Sequence, residues 1–204
     1  MKQVIFATTN KNKVTRINNL LDKSQYEILS LADLQYEISE PEEIGPTPQD
    51  IAKNKAQYYW KQLYDKLPVI TQDDTIQFHN VPELSSPKLS IKSPVIEKYG
   101  KFNDEVAITY YTDLAKRFGG RINMELRYGH ALCTSDLLES KLSKIECTLV
   151  DEISNVLLPD YFLSSIIKVN VNDKETFFSE LTDKEQKIVD TPILNSVAAL
   201  LNTI

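Results

Sequence analysis

The sequence predicts an α/β fold, and three observations carry that prediction. Apolar strand-like runs alternate with amphipathic helical patterns through the first half of the chain. Val4-Ile5-Phe6-Ala7 passes through Thr8-Thr9-Asn10 into a helical stretch with Val14, Ile17, Leu20 and Leu21 on one face. Pro68-Val69-Ile70-Thr71 reads as a buried strand that delivers Gln72-Asp73-Asp74-Thr75 at its carboxyl end, where open α/β sheets bind ligands.

The remaining elements follow in order. Tyr26 to Leu31 is a short strand. Thr47-Pro48 opens a helix, with threonine as N-cap, proline in the first position and Asp50 in the first turn. Ala52, Ala56, Tyr59 and Leu63 form its buried stripe, with Lys55 on the border, and Pro68 marks its end. From Val81 to Pro94 the chain is rich in Pro and Ser and reads as an irregular loop. Asn103 to Phe118 is a helix with Val106, Ala107, Tyr110, Tyr111 and Leu114 inward, closed by Gly119-Gly120. Ile122 to Thr134, with inward Ile122, Met124, Leu126 and Tyr128, and Ser143 to Val150 read as antiparallel neighbours. Leu157 to Val171 reads as a loop and a strand. Thr182-Asp183-Lys184-Glu185 is a capping box, and Thr191-Pro192 starts a last helix with Ile193, Val197, Leu200, Leu201 and Ile204 on one face.

With 204 residues, 42% hydrophobic and 25% charged, and neither repeat nor linker, residues 1–204 read as a single domain. A net charge of −6 argues against a nucleic-acid polymer as partner, because such binders need a basic surface to displace counterions. No apolar run approaches the roughly 18 to 20 residues of a membrane span, and Met1-Lys2-Gln3 leads straight into a strand, so the expected location is cytoplasmic. Cys133 and Cys147 read as small buried hydrophobes inside strands. His79 and His130 have no sequence neighbours at metal-ligand spacing and are read as structural or surface residues, so any metal is expected on oxygen ligands.

Thr8, Thr9, Asn10 and Lys13 at a strand-to-helix turn are phosphate-binding chemistry, since a helix start offers backbone N–H groups and a partial positive charge. A solvated polar turn is the plainer alternative. Glu42-Glu43 precedes the second helix, Lys55 lies on it, and Asp73-Asp74 lies at a strand end. Two carboxylates beside phosphate donors are what a Mg²⁺-nucleotide site requires, with lysines to neutralise charge on the phosphoryl oxygens. Taken singly, Glu42-Glu43 could be part of the solvated acidic run Glu37 to Glu43, and Lys55 a surface lysine with a buried stem. Asp73-Asp74 is sharper, because adjacent carboxylates at a buried strand end repel unless cations or donors compensate them.

Together these segments resemble the inosine triphosphate pyrophosphatase family, which hydrolyses non-standard purine nucleoside triphosphates to monophosphate and pyrophosphate. Ile5 to Lys13 is similar to its strand followed by T-x-N-x-x-K, Glu42-Glu43-Ile44-Gly45 to E-x-x-G, Ala52 to Ala56 to A-x-x-K-A, and Gln72-Asp73-Asp74-Thr75 to D-D-[ST]. Leu89-Ser90-Ile91-Lys92 resembles a lysine-bearing loop, Tyr128 to Thr134 the strand that follows, and Glu180-Leu181-Thr182 the approach to the carboxyl-terminal helices. The resemblance implies that Thr8, Asn10, Lys13 and Lys92 bind substrate and that Glu43 and Asp74 bind Mg²⁺. It also implies that Lys55 stabilises the reacting phosphates and that Asp74, or Asp73 beside it, orients the attacking water. The implied architecture is an elongated mixed β-sheet flanked by helices, with two lobes around a central groove, in a homodimer.

The base-reading half departs from that pattern. Asp190-Thr191-Pro192 stands where the family carries Ser-His-Arg, and Leu157 to Ile167 replaces G-[FY]-G-[YW]-D-P. Ile76 and Ile51 replace a glycine and an asparagine of the motifs. The expectation is a pyrophosphohydrolase with altered base preference. The alternative is a non-catalytic nucleotide-binding or protein-interaction module on the same fold.

Overall fold

The computed structural model describes residues 2–21, 24–34, 38–63, 67–81 and 90–204. Glu37, Leu89 and most of the Val81 to Pro94 stretch lie outside them. The strands are β1 (Lys2–Phe6), β2 (Tyr26–Ser30), β3 (Val69–Phe78), β4 (Arg121–Cys133), β5 (Leu138–Val150), β6 (Ile167–Val171) and β7 (Lys174–Phe177). The helices are α1 (Lys11–Leu20), α2 (Pro48–Gln62), α3 (Ser93–Tyr99), α4 (Asp104–Arg117), α5 (Asp183–Val189) and α6 (Thr191–Leu201).

The strands form one mixed sheet in the order β2-β1-β3-β4-β5-β6-β7, bearing out the α/β reading. β1 is parallel to β2 and to β3, while β5, β6 and β7 are successively antiparallel. β4 returns into β5 through a turn closed by Thr134 N–H to the Leu137 carbonyl at 2.9 Å, a link too short for anything but an antiparallel pair. Contacts divide the chain into two compact units. The first is Met1–Asp74, Tyr128–Ser143 and Thr191–Ile204; the second is Thr75–Arg127 and Lys144–Asp190. Among the described residues no helix is long and apolar enough to cross a membrane.

In the first unit, α2 forms as its sequence dictates. Thr47 Oγ1 accepts the Asp50 N–H, Pro48 fills a position that needs no donor, and Ala52, Ala56, Tyr59 and Leu63 are buried. Ile5, Ala7, Tyr59, Leu63 and Val69 form one core cluster, and Ala52 and Ala56 pack with Ala131 and Cys133 of β4 in another. Full burial of a side chain such as Leu63 is worth about 1.5–3 kcal/mol. On α1 only Ile17 is fully buried; Val14, Leu20 and Leu21 keep partial exposure. The Tyr26 hydroxyl donates to the Leu201 carbonyl at 3.3 Å, tying β2 to the end of α6, and Ile193, Val197, Leu200 and Leu201 are buried as expected.

In the second unit, Asn103 caps α4 by accepting the Val106 N–H at 2.9 Å, and Ala107, Tyr111 and Leu114 are buried. Tyr111 stacks on Phe162 at 5.7 Å, and its hydroxyl, donating to the Ile91 carbonyl, is held far above its usual pKa by burial. The Thr182 to Glu185 capping box is present.

Four boundaries differ from expectation. β3 continues to Phe78, because Thr75, Ile76 and Phe78 keep it buried, so Asp73 and Asp74 lie within the strand and not at its end. Helix α3 begins at Ser93, inside the expected irregular loop, since Pro94 suits a helix's first turn. β5 starts at Leu138, five residues earlier than expected. β7 is an additional strand, paired Val171 to Lys174 with β6 across Asn172-Asp173, whose φ values of 52° and 60° suit a two-residue hairpin turn.

Candidate active site

β1 pairs with β3 only at Ile5–Val69 and Phe6–Ile70, so β3 runs on past the carboxyl end of β1. The chain leaving β1 turns there into α1. Asn10 is the N-cap, its side-chain oxygen accepting the Asn12 and Lys13 N–H groups at 2.9 and 3.2 Å. Those two N–H groups are therefore spent on the cap. The amide NH₂ of Asn10 and the ammonium of Lys13 are what the turn offers to an anion. Thr8 Oγ1 accepts the Asn10 N–H at 3.2 Å, and Thr9 Oγ1 donates to Glu40 at 2.5 Å, holding the turn against the acidic loop.

Side chains alternate along β3, and the alternation sorts its carboxylates. Thr71 donates to the Ala52 carbonyl of α2 at 2.6 Å, and Asp73, two residues on, pairs with Lys55 of the same helix at 2.7 Å. Gln72 and Asp74 lie on the other face, where Gln72 Nε2 donates to Asp74 Oδ1 at 2.7 Å and Lys13 Nζ of α1 lies 2.9 Å from Asp74 Oδ2. Lys55 also reaches Glu43 at 2.7 Å. The ammonium that links Glu43 to β3 thus reaches Asp73 and not Asp74. The Glu43 segment is held to α2 by Asn54 Nδ2, which donates to the Ile44 carbonyl at 2.5 Å. Gly45, at φ 150°, lies where a Cβ would come within 2.8 Å of the Asp50 Cβ, so only glycine suits that position of the E-x-x-G motif.

Burial acts to raise the Asp74 carboxyl pKa, but Lys13, the Gln72 amide and Arg16 outweigh it and hold Asp74 below the usual carboxylate value. For Asp73 burial wins: Lys55 offsets only part of it, Glu43 and Asp74 add to it, and the pKa is raised. Burial would lower Lys55, yet Asp73 and Glu43 outweigh it and hold the ammonium more firmly charged. The two adjacent carboxylates differ in character because they occupy opposite faces of the strand. Lys92 lies in the second unit with Nζ 5.3 Å from the centre of the Phe102 ring. Glu43, Asp73 and Asp74 offer hard oxygen donors only, a set suited to Mg²⁺.

Three residues at this cluster carry no site role in the sequence reading. Gln72 positions Asp74 and is itself 5% exposed, with Oε1 lacking a partner. Arg16, one turn beyond Lys13, lies 4.9 Å over the Tyr128 ring and adds positive charge near Asp74. Spacing carries a signal for both: i, i+2 on a strand, and i, i+3 on a helix. The third, His130, expected to be a structural or surface residue, is completely buried, with Nε2 2.9 Å from Ser143 Oγ and Nδ1 without a partner.

Burial pushes the His130 pKa down to about 4, with Asp74 opposing and Arg16 and Lys13 adding to the fall. The native imidazole therefore stays neutral as the pH drops from 6.5 towards 4, while an unfolded chain takes up the proton. Stability is lost through that window, by about 3 kcal/mol from this one group, since each tenfold change in proton affinity is worth about 1.4 kcal/mol. Urea unfolding at pH 7 and pH 4 should accordingly show a smaller acid loss in His130→Gln than in the wild type. Equal losses would show that this imidazole is not held neutral.

Residues 4–91 match the Ham1 family, a stretch that includes Thr8, Asn10, Lys13, Glu43, Lys55, Asp73 and Asp74. Over those residues the chain is similar to Ham1 proteins. Its fold is similar to that of a Ham1 protein from Coxiella burnetii, with a TM-score of 0.75 at 17% identity over the full length of both chains. It is also similar to a nucleoside-triphosphatase / dITP/XTP pyrophosphatase from Mycobacterium abscessus, with a TM-score of 0.65 at 18% identity over 98% of each chain. A Ham1 protein from Staphylococcus aureus matches with a TM-score of 0.62 at 17% identity over 99% of each chain. No curated protein matches the sequence. The family match ends at residue 91, ahead of both segments that depart from the base-reading motifs.

Proposed function

We propose that this chain is a nucleoside triphosphate pyrophosphohydrolase, converting a triphosphate and water to monophosphate and pyrophosphate. Its preferred substrates would be non-canonical purine nucleotides, with a base preference altered from that of its relatives. The observation that carries this reading is the pair of lysine–carboxylate clusters, Lys13–Asp74 and Lys55–Asp73/Glu43, at the turn that leaves β1. The Ham1 match over the same residues supports it, as does the fold shared with a protein described as a dITP/XTP pyrophosphatase. Homodimerisation is carried over from the resemblance.

Asp74, kept ionised by Lys13 and Gln72, is the group suited to orient water and accept its proton as the oxygen attacks the α-phosphorus. The bond from that phosphorus to the bridging oxygen breaks as the new one forms, and pyrophosphate departs. Lys13 and Lys55 then extend their remaining N–H donors to the phosphate oxygens, in a reaction made mostly of positioning and electrostatics. A Mg²⁺ ion, if held by Glu43 and Asp74 as the resemblance implies, would supply further stabilisation of negative charge; Glu43 and Asp73 share Lys55 while Asp74 faces Lys13, so those two ligands would have to be drawn together by the ion. Asp73 fixes Lys55 in place.

The test is a panel of nucleoside triphosphates with Mg²⁺, assayed separately for pyrophosphate and orthophosphate. Pyrophosphate and monophosphate in equal amounts are expected, with the best substrates among deaminated purines. Orthophosphate alone would indicate a different phosphate-ester hydrolase. Binding without turnover would favour the non-catalytic module, to which the loss of the base-reading motifs also lends weight.

A further inference from the structure

The second unit assembles a cluster that no sequence spacing announces. His79 immediately follows β3, Glu125 lies on β4 and Glu146 on β5, and these strands are adjacent in the sheet. One nitrogen of the imidazole and one oxygen of each carboxylate lie within 4.8 Å of one another. The ring is anchored through its backbone, His79 N–H donating to the Asn123 carbonyl at 2.8 Å, and its Nε2 lies 3.5 Å from Glu146 Oε2.

Glu125 makes this more than a surface grouping of acids. It is 5% exposed, and its compensation is one-sided: Arg127 Nε and Lys144 Nζ both lie 3.1 Å from the same oxygen, Oε1. Arg127 Nε is buried and, although paired in charge with Glu125, makes no aligned hydrogen bond to it. A buried carboxylate compensated by ion pairs at one oxygen, without good alignment, and grouped with an imidazole and a second carboxylate, leaves its other oxygen suited to a cation.

We propose that His79, Glu125 and Glu146 form a divalent transition-metal site of the zinc or manganese class, distinct from the phosphate-binding cluster. An imidazole nitrogen with two carboxylates suits such borderline ions better than Mg²⁺, which favours oxygen throughout. Around zinc, ligand bonds of about 2.0–2.2 Å place ligand atoms roughly 3.3 Å apart. The cluster would need to contract by up to about 1.5 Å from its 4.8 Å limit, which the partly exposed His79 and the exposed Glu146 side chains can absorb. Three protein ligands leave a further position for water. An ion there would tie β3, β4 and β5 together at one point, a structural role separate from any turnover.

The protein used for the test is the full chain carrying Asp74→Asn, which removes a ligand of the phosphate-side metal. Chelator-treated protein is titrated with Co²⁺, followed by its visible absorption, and then with Zn²⁺ in competition. The expected result is one tightly held equivalent, with affinity reduced on the order of tenfold or more when His79→Ala or Glu146→Gln is added. Both side chains are partly or largely exposed, 39% and 75%, so neither change should disturb folding, which circular dichroism checks. Absence of a retained equivalent, or an equivalent held unchanged after His79→Ala, would overturn the proposal. Neither outcome depends on pyrophosphate release, so the two readings stand or fall separately.

Discussion

Asp74→Asn is expected to lower the rate of pyrophosphate release by about 10²–10⁴-fold, the range for removing a positioned general base, while leaving the fold intact. The substitution is isosteric, and Gln72 can still donate to the remaining carbonyl oxygen, so the strand should keep its geometry. What is lost is the charge that Lys13 pairs with at 2.9 Å and the acceptor that can take a proton from water. On the proposed mechanism the effect belongs in kcat, since the binding role falls to Lys13, Asn10 and Lys55. Asp73→Asn provides the contrast: it removes a buried carboxylate that anchors Lys55, so loss of activity should come with a lower urea midpoint. A fully active Asp74→Asn enzyme would exclude Asp74 from the chemistry, whatever became of Asp73.

The fold was legible where local chemistry and burial agreed. Thr47-Pro48 with Asp50 and the stripe from Ala52 to Leu63 defined α2 because capping groups, proline position and apolar period all named one element. Where one signal was weak, elements were missed. The β6–β7 hairpin turns on Asn172-Asp173, residues that tolerate positive φ and could have marked it, but Lys174–Phe177 is too short to show a period. The site was legible as a set of residues and less so as a geometry. Lys13, Glu43, Lys55, Asp73 and Asp74 are paired as an α/β reading allows, but the division of Asp73 to α2 and Asp74 to α1 follows from strand alternation through a longer β3. His130 could not be placed beside Asp74 from sequence, because only the strand order brings β4 next to β3. The same is true of His79, Glu125 and Glu146, which share no local pattern.

Gly129→Ala should be the most destabilising single-methyl change in the first unit, costing about 3 kcal/mol or more, at the upper end for overpacking. A Cβ at this position of β4 would run into both the carbonyl carbon and oxygen of Pro48, and would lie 2.5 Å from Gln49 N. These are backbone atoms of the first turn of α2, so no rotamer change relieves the contact. Ordinary contact begins near 3.4 Å, which requires a separation of about 1 Å between β4 and the helix start. β4 is bonded to β3 on one side and β5 on the other, so the displacement falls mainly on α2. That helix carries Lys55, whose ammonium holds Glu43 and Asp73 at 2.7 Å each, and a shift of that size disrupts both pairs. The substitution should therefore lower the urea midpoint and the catalytic rate together, although residue 129 touches neither substrate nor carboxylate. If Gly129→Ala unfolded within about 0.5 kcal/mol of the wild type, the ordinary range for surface changes, α2 could not be seated on β4 as described. The link between that seat and the position of Lys55 would fall with it.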